Sequence, residues 1–116
     1  MANIIIGDTY KIRVAITDAD GAVVDISGDT LWFTLKLNED DDDPGVLQHS
    51  ATLPTTTDTQ AGIGVMLVPP SKTSLLTAKQ RYYSDVQWVS PDSPEAEVHT
   101  VQKKRIRAVL DITKST

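Results

Sequence analysis

Sixteen carboxylates and two histidines are the chain's candidate acids, bases and metal ligands, and five of the acids are consecutive: Glu39, Asp40, Asp41, Asp42 and Asp43. Neighbouring side chains of an extended segment point opposite ways, so such a run is poorly built to wrap one cation. Like charges side by side repel and resist packing, so 39–45, closed by Pro44-Gly45, is expected to be a mobile, solvated loop. Its functional alternatives are weak divalent-cation binding and docking against a basic partner. The complement lies near the other end, in Lys103, Lys104, Arg105 and Arg107. Those four are either a solvated outer face or a contact with a neighbouring subunit's acidic loop.

The segment Asp18-Ala19-Asp20-Gly21 has the opening of a calcium loop, but a full loop needs more oxygen ligands and a glutamate at its twelfth position. Counting from Asp18, that position is Asp29, and the intervening Ala22, Val23 and Val24 offer no side-chain oxygen. A plain turn is expected instead, with Gly21 free to take positive φ. His49 and His99 have no cysteine to join them, and zinc takes three or four protein ligands. No serine sits in a nucleophile-elbow pattern, and Gly62-Ile63-Gly64 opens a strand rather than a phosphate loop. No catalytic residue, metal site or cofactor is therefore assigned, and the chain is not expected to be an enzyme.

Eleven Lys and Arg against sixteen Asp and Glu give a net charge of −5. Without the acidic run the remaining acids and bases balance, so the acidity is one local feature. Duplex nucleic acid demands a net basic footprint and is not an expected partner. No apolar run approaches the roughly 20 residues that cross a bilayer, so no membrane is expected either. The opening MANIIIGDTYK lacks the basic region and cleavage pattern of a secretory leader. Absence of cysteine removes disulfides and thiolate chemistry and is compatible with a reducing cytoplasm.

These groups must be carried by strands, because six segments alternate apolar and polar residues. In Thr9 to Thr17, Tyr10, Ile12, Val14 and Ile16 share one face. Val23 to Ile26 is a short stretch before Ser27-Gly28-Asp29. In Thr30 to Asn38, Leu31, Phe33, Leu35 and Leu37 point inward, and Trp32 falls outside that set, either as a candidate surface aromatic or as cover for a second layer packed under the helix. Val46 to Leu53 is a weaker edge strand, and the Thr-rich 54–62 is a connection. Ile63 to Val68 is a strong strand. Ser71 to Lys79 is the one expected helix, capped by Ser71 or Thr73 and docked by Leu75 and Leu76. Arg81 to Ser90 puts Tyr82, Ser84, Val86 and Trp88 on one face. Glu97 to Ile112 is one long strand or two in line, with Ile106, Ala108, Leu110 and Ile112 inward and a bulge or exposed rim at Lys104. Phe33, Leu35, Val65, Leu67, Val86 and Ile106 are expected in one core. The 116 residues thus predict a single all-β domain, an immunoglobulin-like antiparallel β-sandwich of about seven strands with one short helix.

Gly7-Asp8-Thr9, the stretch from Thr17 to Gly21, and the stretch from Val24 through Thr30 into Leu31-Trp32-Phe33-Thr34-Leu35-Lys36 also carry a family likeness. So do Pro70 to Ala78, Tyr83-Ser84-Asp85-Val86-Gln87 and Val109-Leu110-Asp111-Ile112-Thr113. Together they resemble small bacteriophage tail and baseplate proteins, in particular the immunoglobulin-like N-terminal domain of phage baseplate upper proteins, over nearly the whole chain. The resemblance implies a structural component of the virion, assembled in the host cytoplasm. It would join other tail or baseplate proteins, or copies of itself in a homo-oligomer, through protein–protein contacts. Two other classes remain open. A carbohydrate-binding or host-adhesion module would show a row of exposed aromatics drawn from Trp32, Trp88 and the tyrosines. A small cytoplasmic inhibitor or regulator would use the acidic loop as a nucleic-acid mimic.

Overall fold

The protein is described by a computed structural model over residues 2–38, 45–90 and 97–109. Alternation of side chains gives seven strands among these residues: β1 (Ala2–Ile5), β2 (Tyr10–Ala15), β3 (Thr30–Lys36), β4 (Leu47–Thr52), β5 (Ile63–Val68), β6 (Arg81–Ser90) and β7 (Glu97–Val109). They form a five-stranded sheet in the order β1-β7-β6-β3-β4 and a two-stranded sheet, β2-β5. β4 lies at a sheet edge, as its weak pattern predicts.

The larger sheet is mixed, which corrects the antiparallel expectation. β1 runs parallel to β7, with Ile4 opposite Ala108 and Ile5 opposite Val109. Four residues are too few to display a period, so the isoleucines gave no strand signal in the sequence. Burial holds them instead: Ile4 is fully buried, and the Ile6 amide donates to Val109 O at 2.9 Å. Val23 to Ile26 is not a strand. It contributes one isolated bridge, Thr17 with Val23, and a fully buried Ile26.

Both sheets bury one face in a common core. Ile12 and Val14 from β2 and Met66 and Val68 from β5 join Leu31, Phe33 and Leu35 from β3, Val86 from β6 and Ile106 from β7. The rings of Tyr10 and Phe33 meet across it with centroids 5.7 Å apart. The expectation that Val65 and Leu67 belong to this core fails, since they are 41% and 55% exposed. Gly64 explains the phase. A Cβ there would stand 3.2 Å from Ile26 Cδ1 and Leu53 Cδ1 and 3.3 Å from Leu31 Cδ1, so β5 passes close to the facing layer at that point. With Gly64 inward, Met66 and Val68 must follow, and Val65 and Leu67 face out. Leu37 is also exposed, because β3 ends at Lys36.

Among the described residues two short helices stand where one was expected. α1 (Thr57–Gln60) lies in the Thr-rich connection and is closed by a capping box between Thr56 and Thr59. α2 (Pro70–Thr73) follows Pro69 without a side-chain cap. It stops short of Lys79, which has φ 68°. Thr73 does not cap it. That buried hydroxyl donates to Asp8 O at 2.8 Å and accepts from the Gly7 amide at 3.1 Å, fastening α2 to the β1–β2 turn. Leu76 packs into the core, whereas Leu75 is exposed. After α2 the chain turns into β6, where the buried Tyr82 accepts a hydrogen bond from the Thr77 amide at its Oη, 2.9 Å.

On β7 the register slips between the Val86–Gln102 and Gln87–Thr100 pairs, so the bulge is at Val101 rather than at Lys104. Lys104 itself is exposed, as a rim would be, and its carbonyl accepts from Ser84 Oγ at 3.0 Å. Leu110 and Ile112 lie outside the described residues.

Candidate interaction surface

The outer face of the five-stranded sheet is set by the same alternation that builds the core. With Leu35, Tyr82 and Ile106 pointing inward, their neighbours Lys36, Tyr83 and Arg105 point out and fall in one cross-strand row. The next row is Thr34, Asp85 and Lys103, and the one after it brings Trp32 beside Gln87. On the other side Arg81 and Arg107 are opposite each other, with Asn3 of β1 next to Arg107.

These rows enclose a cleft of about 510 Å³, lined by Thr34, Lys36, Tyr83, Asp85, Lys103 and Arg105 together with Ser84 and Lys104. Arg105 is held in place before any ligand arrives. Its guanidinium carbon lies 5.2 Å from the Tyr83 ring centroid, and Nη2 donates to Tyr83 Oη at 3.0 Å. A planar cation stacked in this way keeps its remaining donors for a carboxylate. Below it Thr34 is buried, and its Oγ1 accepts from Gln48 Nε2 at 3.2 Å. Lys36 and Asp85 are already engaged in interactions of their own. The face is a cationic, hydrogen-bonding surface with one phenol and one carboxylate among its described residues.

Of the residues singled out in the sequence, the fold brings Lys103, Lys104 and Arg105 to this cleft and sets Arg107 one row along. Trp32 shares the face and is half-buried. Glu39, Asp40, Asp41, Asp42 and Asp43 lie outside the described residues. Gly45, at the close of that run, is described: it has φ 63° and sits against Leu35 O. No protein-family model, curated protein or solved structure matches the chain.

Lys36, Arg81, Tyr83 and Asp85 were missed in the sequence, because each is an ordinary outward residue until strand register places it beside β7. The other candidates resolve locally. Asp18 Oδ1 accepts from the amides of Asp20 at 2.9 Å and Ala22 at 3.0 Å, and Gly21 has φ 86°, so this segment is a turn. His49 lies on β4 and His99 on β7, three strands along in the sheet order.

Proposed function

We propose that the protein is a non-enzymatic structural module, immunoglobulin-like in construction, that works through protein–protein contacts made by the cationic outer face of its larger sheet. Two features support the frame. The adjacent order β7-β6-β3-β4, with β2 paired to β5 in the second layer, follows the arrangement of G, F, C and C′ strands over B and E in variable-type immunoglobulin domains. The bond from the Thr77 amide to Tyr82 Oη, at the entry to β6, has the place and sense of the tyrosine corner of such domains.

One observation carries the function. In a chain of net charge −5, Lys36, Arg81, Lys103, Arg105 and Arg107 share a single sheet face. Like charges gathered in this way repel one another, and an acidic partner relieves that cost. The chain's overall acidity disfavours duplex nucleic acid as that partner. The resemblance to phage tail and baseplate proteins points to a virion component, its partners being other tail proteins or copies of itself.

The carbohydrate reading finds little support among the aromatics. Trp88 packs against the core, Tyr82 is buried, and Tyr10 lies on Phe33. Tyr83 is covered by Arg105, which leaves Trp32 without a neighbouring ring on its face.

Two measurements test the proposal. Lys103→Glu/Arg105→Glu should abolish binding of a glutamate-rich peptide that the wild type binds at low salt. Equal binding by both proteins would overturn the assignment of the face. Tail or capsid genes flanking the coding sequence would support the virion class, and a neighbourhood of metabolic genes would count against it.

A further inference from the structure

We propose that the open edge of β4 is a two-fold contact, in which β4 of one copy pairs antiparallel with β4 of a second. This surface is separate from the cationic cleft, and the inference does not depend on that reading. Leu53 N donates to Asp29 O at 2.8 Å, and these two residues follow Thr30 and Thr52 in the β3–β4 register. Antiparallel ladder bonds recur at every second pair. Leu47, His49 and Ala51 therefore bond to β3, while Gln48, Ser50 and Thr52 turn their N–H and C=O groups to the open side. Among the described residues none of those backbone groups meets a partner. A row of unpaired groups is a template for another strand.

The two sheets end in β1, β4, β2 and β5, and β4 is the edge that admits a second sandwich. β2 points Lys11 and Arg13 outward, where antiparallel pairing would set them against those of a copy. Its Arg13 O also accepts already from Gln102 Nε2 at 3.1 Å. β1 has only four residues. β5 lies over the larger sheet, with Gly64 close to Leu31 and Leu53, and the α2 turn that follows β5 packs on β4. A strand beside β5 would have β4 and α2 of its own chain beneath it. Leu47–Thr52 contains neither Lys nor Pro, the residues that commonly guard a sheet edge.

Self-complementarity selects a second copy over a foreign strand. Turned antiparallel about Ser50, the edge sets Gln48 opposite Thr52 of the second copy and Ser50 opposite its own image. Every open N–H then meets a C=O, and no charge faces a like charge. Gln48 Nε2 donates to Thr34 Oγ1 at 3.2 Å, which leaves Gln48 Oε1 to accept from the Thr52 hydroxyl of the second copy. Such polar cross-strand pairs add to the ladder. The half-buried Trp32 flanks Ser50 in the same row. An isologous contact of this kind stops at a dimer.

Sedimentation velocity on the full chain tests the seam. The wild type should pass from monomer to dimer as its concentration rises to about 1 mM, the weak end of specific binding. The dimer should persist from 0.1 M to 1 M salt, although the Debye length falls from about 10 Å to about 3 Å, because the seam carries no charge. Ser50 is exposed, so Ser50→Lys and Ser50→Glu should keep the monomer fold, as circular dichroism checks. Each variant alone should stay monomeric, since like charges then stand directly opposite. Their equimolar mixture should form a heterodimer. Val65→Lys, on the exposed face of β5, should dimerise as the wild type does. A wild type monomeric at every concentration would overturn the second copy and leave the edge to an extended segment of another protein. Dimers that survive in both Ser50 variants, a mixture that stays monomeric, or loss of the dimer in Val65→Lys would each overturn the inference as well.

Discussion

The Trp88 indole N–H donates to Asp29 Oδ2 across 2.8 Å, tying β6 to the residue that precedes β3. Asp29 is buried, and its backbone joins two other segments: its amide donates to Ile26 O and its carbonyl accepts from Leu53 N at 2.8 Å. A carboxylate withdrawn from water needs such donors to offset its lost hydration.

Trp88→Phe removes the indole donor, and Asp29→Ala the carboxylate acceptor. Each is expected to cost about 1–3 kcal/mol, because a buried polar group loses its partner. The double variant should lose less than the sum, since the two share one interaction. Urea denaturation of the four proteins gives the coupling. Additive losses would show that the bond contributes nothing of its own.

The phase of β5 gives a second test. Met66→Ala should cost about 2–5 kcal/mol as a core truncation, whereas Val65→Ala should stay within about 0.5 kcal/mol as a surface change. Thermal or urea unfolding separates the two readily, and a reversed order would return Val65 and Leu67 to the core.

That strand shows where the sequence was legible and where it was not. Strands β2, β3 and β6 alternate strongly enough that Ile12, Val14, Leu31, Phe33, Leu35, Tyr82 and Val86 are buried as their pattern requires. In Ile63-Gly64-Val65-Met66-Leu67-Val68 both faces are apolar apart from Gly64, so alternation gives no sign, and the close approach at Gly64 decides. β1 escaped because its pairing is parallel and joins residues about a hundred apart in sequence. The site was half legible. Lys103, Lys104 and Arg105 stood out as a run, but Lys36, Tyr83 and Arg81 enter only through register, which no local pattern encodes.

Asp25 supplies a pH-dependent prediction. The Ser27 hydroxyl donates to Asp25 Oδ1 at 2.6 Å and the Ser27 amide at 2.9 Å. The side-chain bond first, and the backbone bond after it, holds the Asp25 carboxyl below its ordinary value. A depressed folded pKa means that the contribution to stability is present above the unfolded value and lost as pH falls through the folded one. Ser27→Ala should therefore move the Asp25 titration upward, as followed by carboxyl-carbon NMR. An unchanged midpoint would assign the depression to something other than these bonds.

Gly62 and Gly21 make the last comparison, because both take positive φ, 84° and 86°. At Gly21 an added Cβ would meet nothing within 4 Å, so Gly21→Ala carries only the left-handed backbone penalty of about 1–2 kcal/mol. At Gly62 the same atom would fall 2.4 Å from Ile16 O and 3.1 Å from Val24 O. Ile16 cannot retreat freely, since its amide donates to Gly62 O at 2.8 Å and its carbonyl accepts from Val24 N. Gly62→Ala must then break the contact that closes the end of the β2–β5 sheet, and its cost should exceed that of Gly21→Ala by at least about 1 kcal/mol, the worth of one such bond. Denaturant unfolding of the two single variants measures the difference. Equal losses would mean that the chain at Ile16 yields, and that the close approach imposes no restriction on residue type.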